Sequence, residues 1–292
     1  MCDNDSIEDM IDATRRASGE VSRRKFGAIT VGSGLAFMLP RLADAADTTE
    51  SEVEIKTPDG TCDAYFVHPS KGKHPAVLVW PDIFGLRPAF RQMGKRLAQS
   101  GYSVLVINPF YRVKHAPTAP DHPDFNDPPT RQMLVGLMSA LTPQTAETDA
   151  KTFVTWLNGQ KAVDTKKKMG TTGYCMGGPY VMRTAALFPV RVGAAATFHG
   201  GGLVTDKPDS PHLLVPQMKA QFLIAVAQND DKNQPEAKTV LKAAFDKAGL
   251  KSEVEVYPAN HGWCPPDAAV YDHDQAEKAW GRMQAIFKEA LG

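Results

Sequence analysis

The sequence has little cysteine and no excess of charge of either sign. Only four of its 292 residues are cysteines, and they form neither a Cys-x-x-Cys pair nor a framework spacing, which argues against a scaffold built on disulfides. Lysine plus arginine and aspartate plus glutamate both number 33, so no net field points to nucleic acid or to an acidic surface as a partner. Bulk composition therefore does not indicate the function of the chain, and the order and spacing of its residues are the remaining source of information.

The N-terminal part lacks a hydrophobic run long enough to span a membrane. The apolar run from Gly27 to Pro40 has fourteen residues, too few to cross about 30 Å of hydrocarbon as a helix but suitable for the h-region of a signal peptide. Paired arginines in Ser22 to Phe26 precede it, and the small-x-small pattern Ala43 to Ala45 follows it. This arrangement resembles a twin-arginine signal. We therefore expect residues 1–45 to be a leader read by the twin-arginine export machinery, and residues 46–292 to form a soluble periplasmic or secreted domain.

Beyond the leader, apolar runs and turn signals predict strands that alternate with helices. The predicted strands are 51–56, 61–68, 76–80, 102–108, 168–173, 192–198, 222–227 and 253–257, and the predicted helices are 87–100, 131–141, 144–159, 177–187, 235–248 and 274–291. This alternation predicts a single α/β domain, a mostly parallel sheet with helices on both faces. In such sheets the active site collects at the carboxyl ends of the strands.

A Gly-x-Cys-x-Gly turn follows the predicted strand 168–173. Gly173 and Gly177 stand two residues before and two residues after Cys175. This spacing is typical of a nucleophile on a tight strand-to-helix turn, where the backbone is strained and bulky neighbours would collide. The helix that follows would place the thiol at its N-terminus, where the dipole favours a thiolate. Taken alone, the motif is explained as well by a buried structural cysteine in a glycine-rich turn.

The partners that a nucleophilic cysteine needs follow later strands in the expected order. Asp230 and Asp231 come after strand 222–227, and His261 comes after strand 253–257. A histidine can take the proton of the thiol and return it to a leaving group, while a carboxylate fixes its tautomer. Each residue has a structural explanation of its own, such as a helix cap for the aspartates, but the joint placement favours a triad. Asp230 is the first candidate because it lies nearer the strand, and Asp231 stays an alternative.

Acyl transfer also requires two hydrogen-bond donors for the developing oxyanion. In this fold one donor is the backbone of the residue after the nucleophile, which is Met176 here. The other comes from the loop after an early strand, where Ile83 is the candidate. The same loop could equally be an ordinary strand-to-helix turn.

Together, the turn from Gly173 to Gly178, the loop from Asp82 to Gly85, Asp230 and His261 resemble the dienelactone hydrolase family. The resemblance covers nearly the whole chain after the leader. It implies a single-domain α/β-hydrolase with a Cys-His-Asp triad that uses neither a metal nor a cofactor. It also implies the hydrolysis of an enol-lactone, such as dienelactone, to a keto acid.

Two positions depart from the pattern of the best-known members of this family. The resemblance implies that an acidic residue before Ile-Phe-Gly contacts the resting cysteine and gates thiolate formation; here it is Asp82, where those members have glutamate. It also implies two arginines for a substrate carboxylate, and the position four residues after the histidine is Pro265. Arg112 could serve as the other arginine, since guanidinium groups bind carboxylates in pairs of hydrogen bonds. We therefore expect an ester or lactone hydrolase whose substrate is open.

Two other functions are compatible with the same residues. A non-catalytic protein could keep the fold and bind a small molecule without turnover. A thiol redox sensor could use Cys175 together with Cys264, three residues after the histidine. If the protein is exported, a bridge between Cys62 and Cys264 is a further option.

Overall fold

The computed structural model describes residues 39–40, 45–121 and 123–292. The predicted leader, residues 1–45, lies outside the described residues except for positions 39, 40 and 45. The boundary between the leader and residues 46–292 thus stays a prediction. In the described ranges, no helix combines the length and apolar character needed to span a bilayer.

The fold is built on one sheet of eight strands, in the spatial order β1-β2-β4-β3-β5-β6-β7-β8. The strands are β1 (Thr48–Thr57), β2 (Gly60–Pro69), β3 (Ala76–Trp80), β4 (Ser103–Ile107), β5 (Met169–Tyr174), β6 (Val192–Phe198), β7 (Gln221–Ala227) and β8 (Ser252–Tyr257). The β1–β2 and β2–β4 pairs are antiparallel, and all the remaining pairs are parallel. The predicted α/β class with a mostly parallel sheet is confirmed.

Seven α-helices accompany this sheet in the described residues. They are α1 (Pro88–Gln99), α2 (Pro128–Met138), α3 (Pro143–Asn158), α4 (Gly178–Leu187), α5 (Gln228–Asn233), α6 (Ala237–Lys247) and α7 (His273–Leu291). Two 3₁₀ segments, Cys175–Gly177 and Pro211–Gln217, complete the helical elements.

The core lies on both faces of the sheet because the central strands are buried on both sides. In β3, Val77 and Val79 belong to one hydrophobic cluster, whereas Leu78 and Trp80 belong to the other. Helices α1 and α7 pack on the first face, and α2, α3, α4 and α6 supply apolar side chains to the second. Continuous apolar runs such as β3 are what a doubly covered parallel sheet requires.

The same two faces separate the structural cysteines. Cys62 is fully buried in the cluster that contains Leu78, whereas Cys264 is buried in the cluster that contains Val77. Both thiols are free. The bridge between Cys62 and Cys264 considered from the sequence is therefore wrong, because the sheet stands between them.

Candidate active site

Cys175 sits at the turn that connects β5 to α4. Its φ is +50°, in the left-handed region that a non-glycine residue enters only at a cost. A Cβ on Gly173 would lie 2.6 Å from the carbonyl oxygen of Gly177, and a Cβ on Gly177 would lie 2.2 Å from that of Trp80. Both glycines are thus required by close packing of backbone on backbone, which holds the strained turn in place.

His261 lies in the loop after β8 and is held by Asp230. Its Nδ1 and the Asp230 Oδ2 are 2.7 Å apart, and its backbone N–H donates to the side chain of Asn229 at 2.8 Å. The neighbouring Asp231 is turned away and accepts a hydrogen bond from the Lys238 ammonium at 2.5 Å. Of the two aspartates that the sequence left open, the structure brings Asp230 to the histidine.

The imidazole of His261 stands between the Asp230 carboxylate and the Cys175 thiol. Burial lowers the pKa of His261, but the charge of Asp230, and after it that of Cys175, outweighs burial and raises the pKa well above the ordinary value. The sulfur also acts on the ring as a hydrogen-bonding neighbour, although no group meets full hydrogen-bond geometry at the buried Nε2.

A second histidine, His199, packs against this group from the end of β6. Its ring centroid is 5.0 Å from that of His261 and 5.0 Å from that of Trp263, in edge-to-face contact with both. It is 1% exposed, and neither of its ring nitrogens has a hydrogen-bond partner. Burial, and next the charge of His261, lowers the pKa of His199 well below the ordinary value. His199 is therefore a neutral wall of the site, and its φ of +41° marks a second strained position.

These groups open into a cavity of about 170 Å³ at the carboxyl ends of the strands. The loops that form its walls follow β3, β5, β6, β7 and β8, as expected for a sheet of this type. A further wall comes from the proline-rich segment before α2. The lining residues are Asp82, Ile83, Phe84, Arg87, Pro123, Asp124, Phe125, Asn126, Cys175, His199, Asn229, Asn260, His261, Gly262, Asp267, Ala268, Ala269 and Val270.

Of the two residues predicted to form the oxyanion hole, Ile83 lines the same cavity as Cys175, and Met176 follows Cys175 in the chain. Ile83 lines the cavity and is 4% exposed. Met176 is buried in the first turn after Cys175, where backbone N–H groups have no acceptor within the helix. Their role as donors stays a prediction that this placement allows.

Asp82 lines the cavity, but its carboxylate is bound to Arg87. The Arg87 guanidinium donates to Asp82 at 2.6 and 3.0 Å and to Asp267 at 2.6 and 2.9 Å. Burial works against the charge of Arg87, but the two carboxylates offset it and raise its pKa. In the described residues, no hydrogen bond joins Asp82 to Cys175, so no contact supports the gating role expected for Asp82.

Arg112 is not part of the cavity, which corrects its expected role in binding substrate. Its guanidinium makes a bidentate pair with Asp149, with both distances 2.7 Å, and also donates to Asp59 at 2.6 and 3.0 Å. The Asp149 carboxylate is almost fully buried. Arg112 therefore ties the β1–β2 turn to α3 and has no free edge for a ligand.

Sequence reasoning missed three residues of the site, namely Arg87, His199 and Asp267. His199 carried a signal, since it follows a strand directly and opens a run of three glycines. The ion pair of Arg87 and Asp267 carried none, because the two residues are 180 positions apart and meet only through the fold.

Cys264, the suggested redox partner of Cys175, lines a different and much smaller cavity. That cavity also contains Tyr174, Phe198 and Trp280 and has a volume of about 20 Å³. Burial raises the pKa of Cys264 well above the ordinary value, so this thiol is an unreactive packing group. The pairing of Cys175 with Cys264 is not supported.

Comparison with known proteins gives a family match and relatives over most of the chain. The model of the dienelactone hydrolase family matches residues 62–291. A relative from Methylorubrum extorquens, provisionally named a carboxymethylenebutenolidase, is 27% identical over 288 residues, which cover 94% of each chain. The carboxymethylenebutenolidase of Rhodococcus opacus is 28% identical, over 85% of this chain and 95% of its own. A crystal structure from Klebsiella pneumoniae, provisionally named a dienelactone hydrolase, superposes with a TM-score of 0.72 at 24% identity, covering 83% of this chain and 99% of that one, and shares the fold.

Proposed function

Since this chain belongs to the dienelactone hydrolase family, we propose that it hydrolyses an ester or an enol-lactone through Cys175, His261 and Asp230. One observation carries the proposal: His261 lies 2.7 Å from Asp230 on one side and under the influence of the Cys175 sulfur on the other. Cys175 and His261 also line the same cavity, which supports a proton relay between them. The names of the relatives support the hydrolysis of carboxylic esters or lactones.

The roles follow from the chemistry of each group. The raised pKa of His261 favours the imidazolium, which is the partner that a thiolate on Cys175 requires. The thiolate attacks the carbonyl carbon, and the oxyanion is stabilised by the backbone N–H groups of Met176 and Ile83. Collapse of the tetrahedral intermediate forms a thioacyl-enzyme and expels the alkoxide or enolate, which receives its proton from His261.

Deacylation returns the enzyme to its starting state. Neutral His261 takes a proton from a water molecule, and the resulting hydroxide attacks the thioester carbonyl. The second tetrahedral intermediate expels the Cys175 thiolate and releases the carboxylic acid, while Asp230 stabilises the imidazolium each time that it forms. A thioester forms most readily from substrates with a good leaving group, such as an enolate or a phenolate.

The test is the hydrolysis of 4-nitrophenyl acetate by the protein and by two cysteine variants. We expect Cys175→Ala to lose at least about a thousandfold in kcat/KM, and mass spectrometry of the quenched wild type to show an acetyl adduct on the peptide that contains Cys175. Cys264→Ala is the matched control, because this thiol lines a separate cavity, and it should retain the rate. Equal rates for wild type and Cys175→Ala would refute the mechanism.

We also propose that the protein is exported by the twin-arginine route. Support comes only from the sequence of residues 1–45, in particular the paired arginines Arg23 and Arg24. N-terminal sequencing of protein from the periplasmic or secreted fraction should begin near residue 46. Replacement of both arginines by lysine should keep the precursor inside the cell, and unchanged export would refute the route.

A further inference from the structure

The cavity next to Cys175 contains one guanidinium, and every one of its donors is occupied. An arginine side chain has five N–H donors. In Arg87 they go to Asp82 at 2.6 and 3.0 Å, to Asp267 at 2.6 and 2.9 Å, and to the Gly85 carbonyl oxygen at 3.4 Å. The guanidinium is also held against the rings of Phe84 and Phe90, 5.4 and 4.9 Å from their centroids. Arg87 therefore has no free N–H edge to offer an incoming carboxylate.

Apart from Cys175 and the two histidines, the remaining ionisable groups among the described lining residues are acidic. Besides Asp82 and Asp267, the cavity is lined by Asp124, which is exposed on the loop before α2. Three carboxylates against one guanidinium leave a charge of −2 on the lining, apart from the triad. Among the described lining residues, Arg87 is the one lysine or arginine. The other arginine considered for this role, Arg112, is bound elsewhere to Asp149 and Asp59.

We propose that this site accepts esters or lactones that carry no negative charge and discriminates against those that carry a free carboxylate. The inference rests on the hydrolase function proposed above and specifies its substrate class. A substrate carboxylate would have to displace Asp82 or Asp267 from Arg87, which would leave that side chain as an unpaired carboxylate at a part-buried site. It would also add a fourth carboxylate to a cavity lining that has one guanidinium. A neutral acyl chain displaces no carboxylate and adds no charge, and it can pack against the apolar part of the wall, which is formed by Phe84, Phe125 and Val270.

The experiment compares two substrates of equal length with the full-length protein. 4-Nitrophenyl hexanoate and 4-nitrophenyl hydrogen adipate differ only by a carboxylate in place of the terminal methyl group, and the rate of Cys175→Ala is subtracted as background. We expect kcat/KM for the anionic ester to be at least about tenfold lower. The gap should narrow as salt is added, because screening weakens repulsion between charges at an open cavity.

An isosteric substitution that removes one negative charge identifies the source of this selectivity. Asp267→Asn lowers the negative charge of the lining and leaves the Arg87 charge partly uncompensated, so the anionic-to-neutral ratio of kcat/KM should rise several-fold. Asp246→Asn removes the same charge from α6, away from the cavity, and should leave the ratio unchanged. If Asp267→Asn fails to fold, Asp124→Asn on the exposed loop should raise the ratio by a smaller amount.

The outcomes separate the two proposals. Equal or faster Cys175-dependent turnover of the anionic ester would show that Arg87 exchanges its partners for a substrate carboxylate, and would overturn the inference while leaving the hydrolase function intact. Absence of Cys175-dependent turnover of either ester would instead overturn the proposed function, and the substrate class with it.

Discussion

The replacement Asp230→Asn tests the arrangement of the site most directly. It exchanges the carboxylate that lies 2.7 Å from His261 Nδ1 for an amide of the same shape. The charge of Asp230 is the largest influence that raises the pKa of His261 against the effect of burial. Without it, burial dominates, the pKa of His261 falls, and the imidazolium that pairs with the thiolate is no longer favoured. An amide can also hold the ring in the wrong tautomer.

The size of the effect follows from the distance. Two unit charges about 4 Å apart interact by about 4 kcal/mol at an effective dielectric constant of about 20. Each 1.36 kcal/mol corresponds to a factor of ten in rate, so we expect kcat/KM to fall by about 10²- to 10⁴-fold. The basic limb of the pH–rate profile should move to lower pH, because the ring loses its proton earlier in the variant. The assay is 4-nitrophenyl acetate hydrolysis across the pH range, with folding checked by circular dichroism.

Asp231→Asn is the matched control for this experiment. Asp231 is the next residue and has the same charge, but its partner is Lys238. The control should keep the wild-type rate and pH profile. The reasoning is refuted if Asp231→Asn is the more damaging change, or if Asp230→Asn lowers the rate without moving the basic limb, which would indicate a purely structural role.

Three further changes test the surroundings of the site. Gly177→Ala places a methyl group 2.2 Å from a backbone oxygen at the end of β3, so it should lower the free energy of unfolding, measured in urea, by about 3 kcal/mol or more. Its control is Gly281→Ala in α7, where the methyl group meets open space and should raise the free energy of unfolding by about 0.5–1 kcal/mol. Arg87→Met leaves two carboxylates without their cation and should cost about 3–5 kcal/mol at neutral pH, with a smaller loss in acid, where carboxylates are protonated. Because the pKa of His199 is lowered in the folded protein, the unfolded chain binds a proton there below about pH 6.5 that the folded protein does not. The free energy of unfolding should therefore fall with decreasing pH by up to about 1.4 kcal/mol per pH unit. His199→Asn should flatten this slope, and asparagine is a residue that tolerates a positive φ.

The fold could be predicted from the sequence because its central strands are continuous apolar runs. The predicted strands 76–80 and 192–198 have the bounds of β3 and β6, and the bounds of the other strands differ by at most three residues at either end. The two helical segments that the sequence did not predict have weak hydrophobic periodicity or contain a helix-breaking residue. Helix α5 has the sequence QNDDKN and buries no residue, so it shows no apolar period. The 3₁₀ segment Pro211–Gln217 contains an internal proline, a residue that is disfavoured inside helices.

The choice between Asp230 and Asp231 depended on that missed helix. Chain order placed both residues at the carboxyl end of β7, and this much follows from topology alone. Successive residues of a helix point about 100° apart, so α5 sends one carboxylate to His261 and the other to Lys238. A loop would have left either assignment open. The aspartate that contacts His261 is thus selected by the phase of this short helix. A run of six polar residues gives no sequence signal for that phase.

The two arginines show a different reason why a site escapes sequence reasoning. Arg112 follows β4 and Arg87 follows β3, so position alone makes both of them candidates for binding a substrate anion. Their ion pairs remove both from this role, because Arg112 is paired with Asp149 outside the cavity and Arg87 is paired with Asp267 inside it. A guanidinium whose N–H donors are all hydrogen-bonded balances the charge of neighbouring carboxylates but has no donor left to bind a ligand. The polarity that a substrate meets is therefore set by tertiary pairing, and a cavity that contains an arginine can still reject an anion.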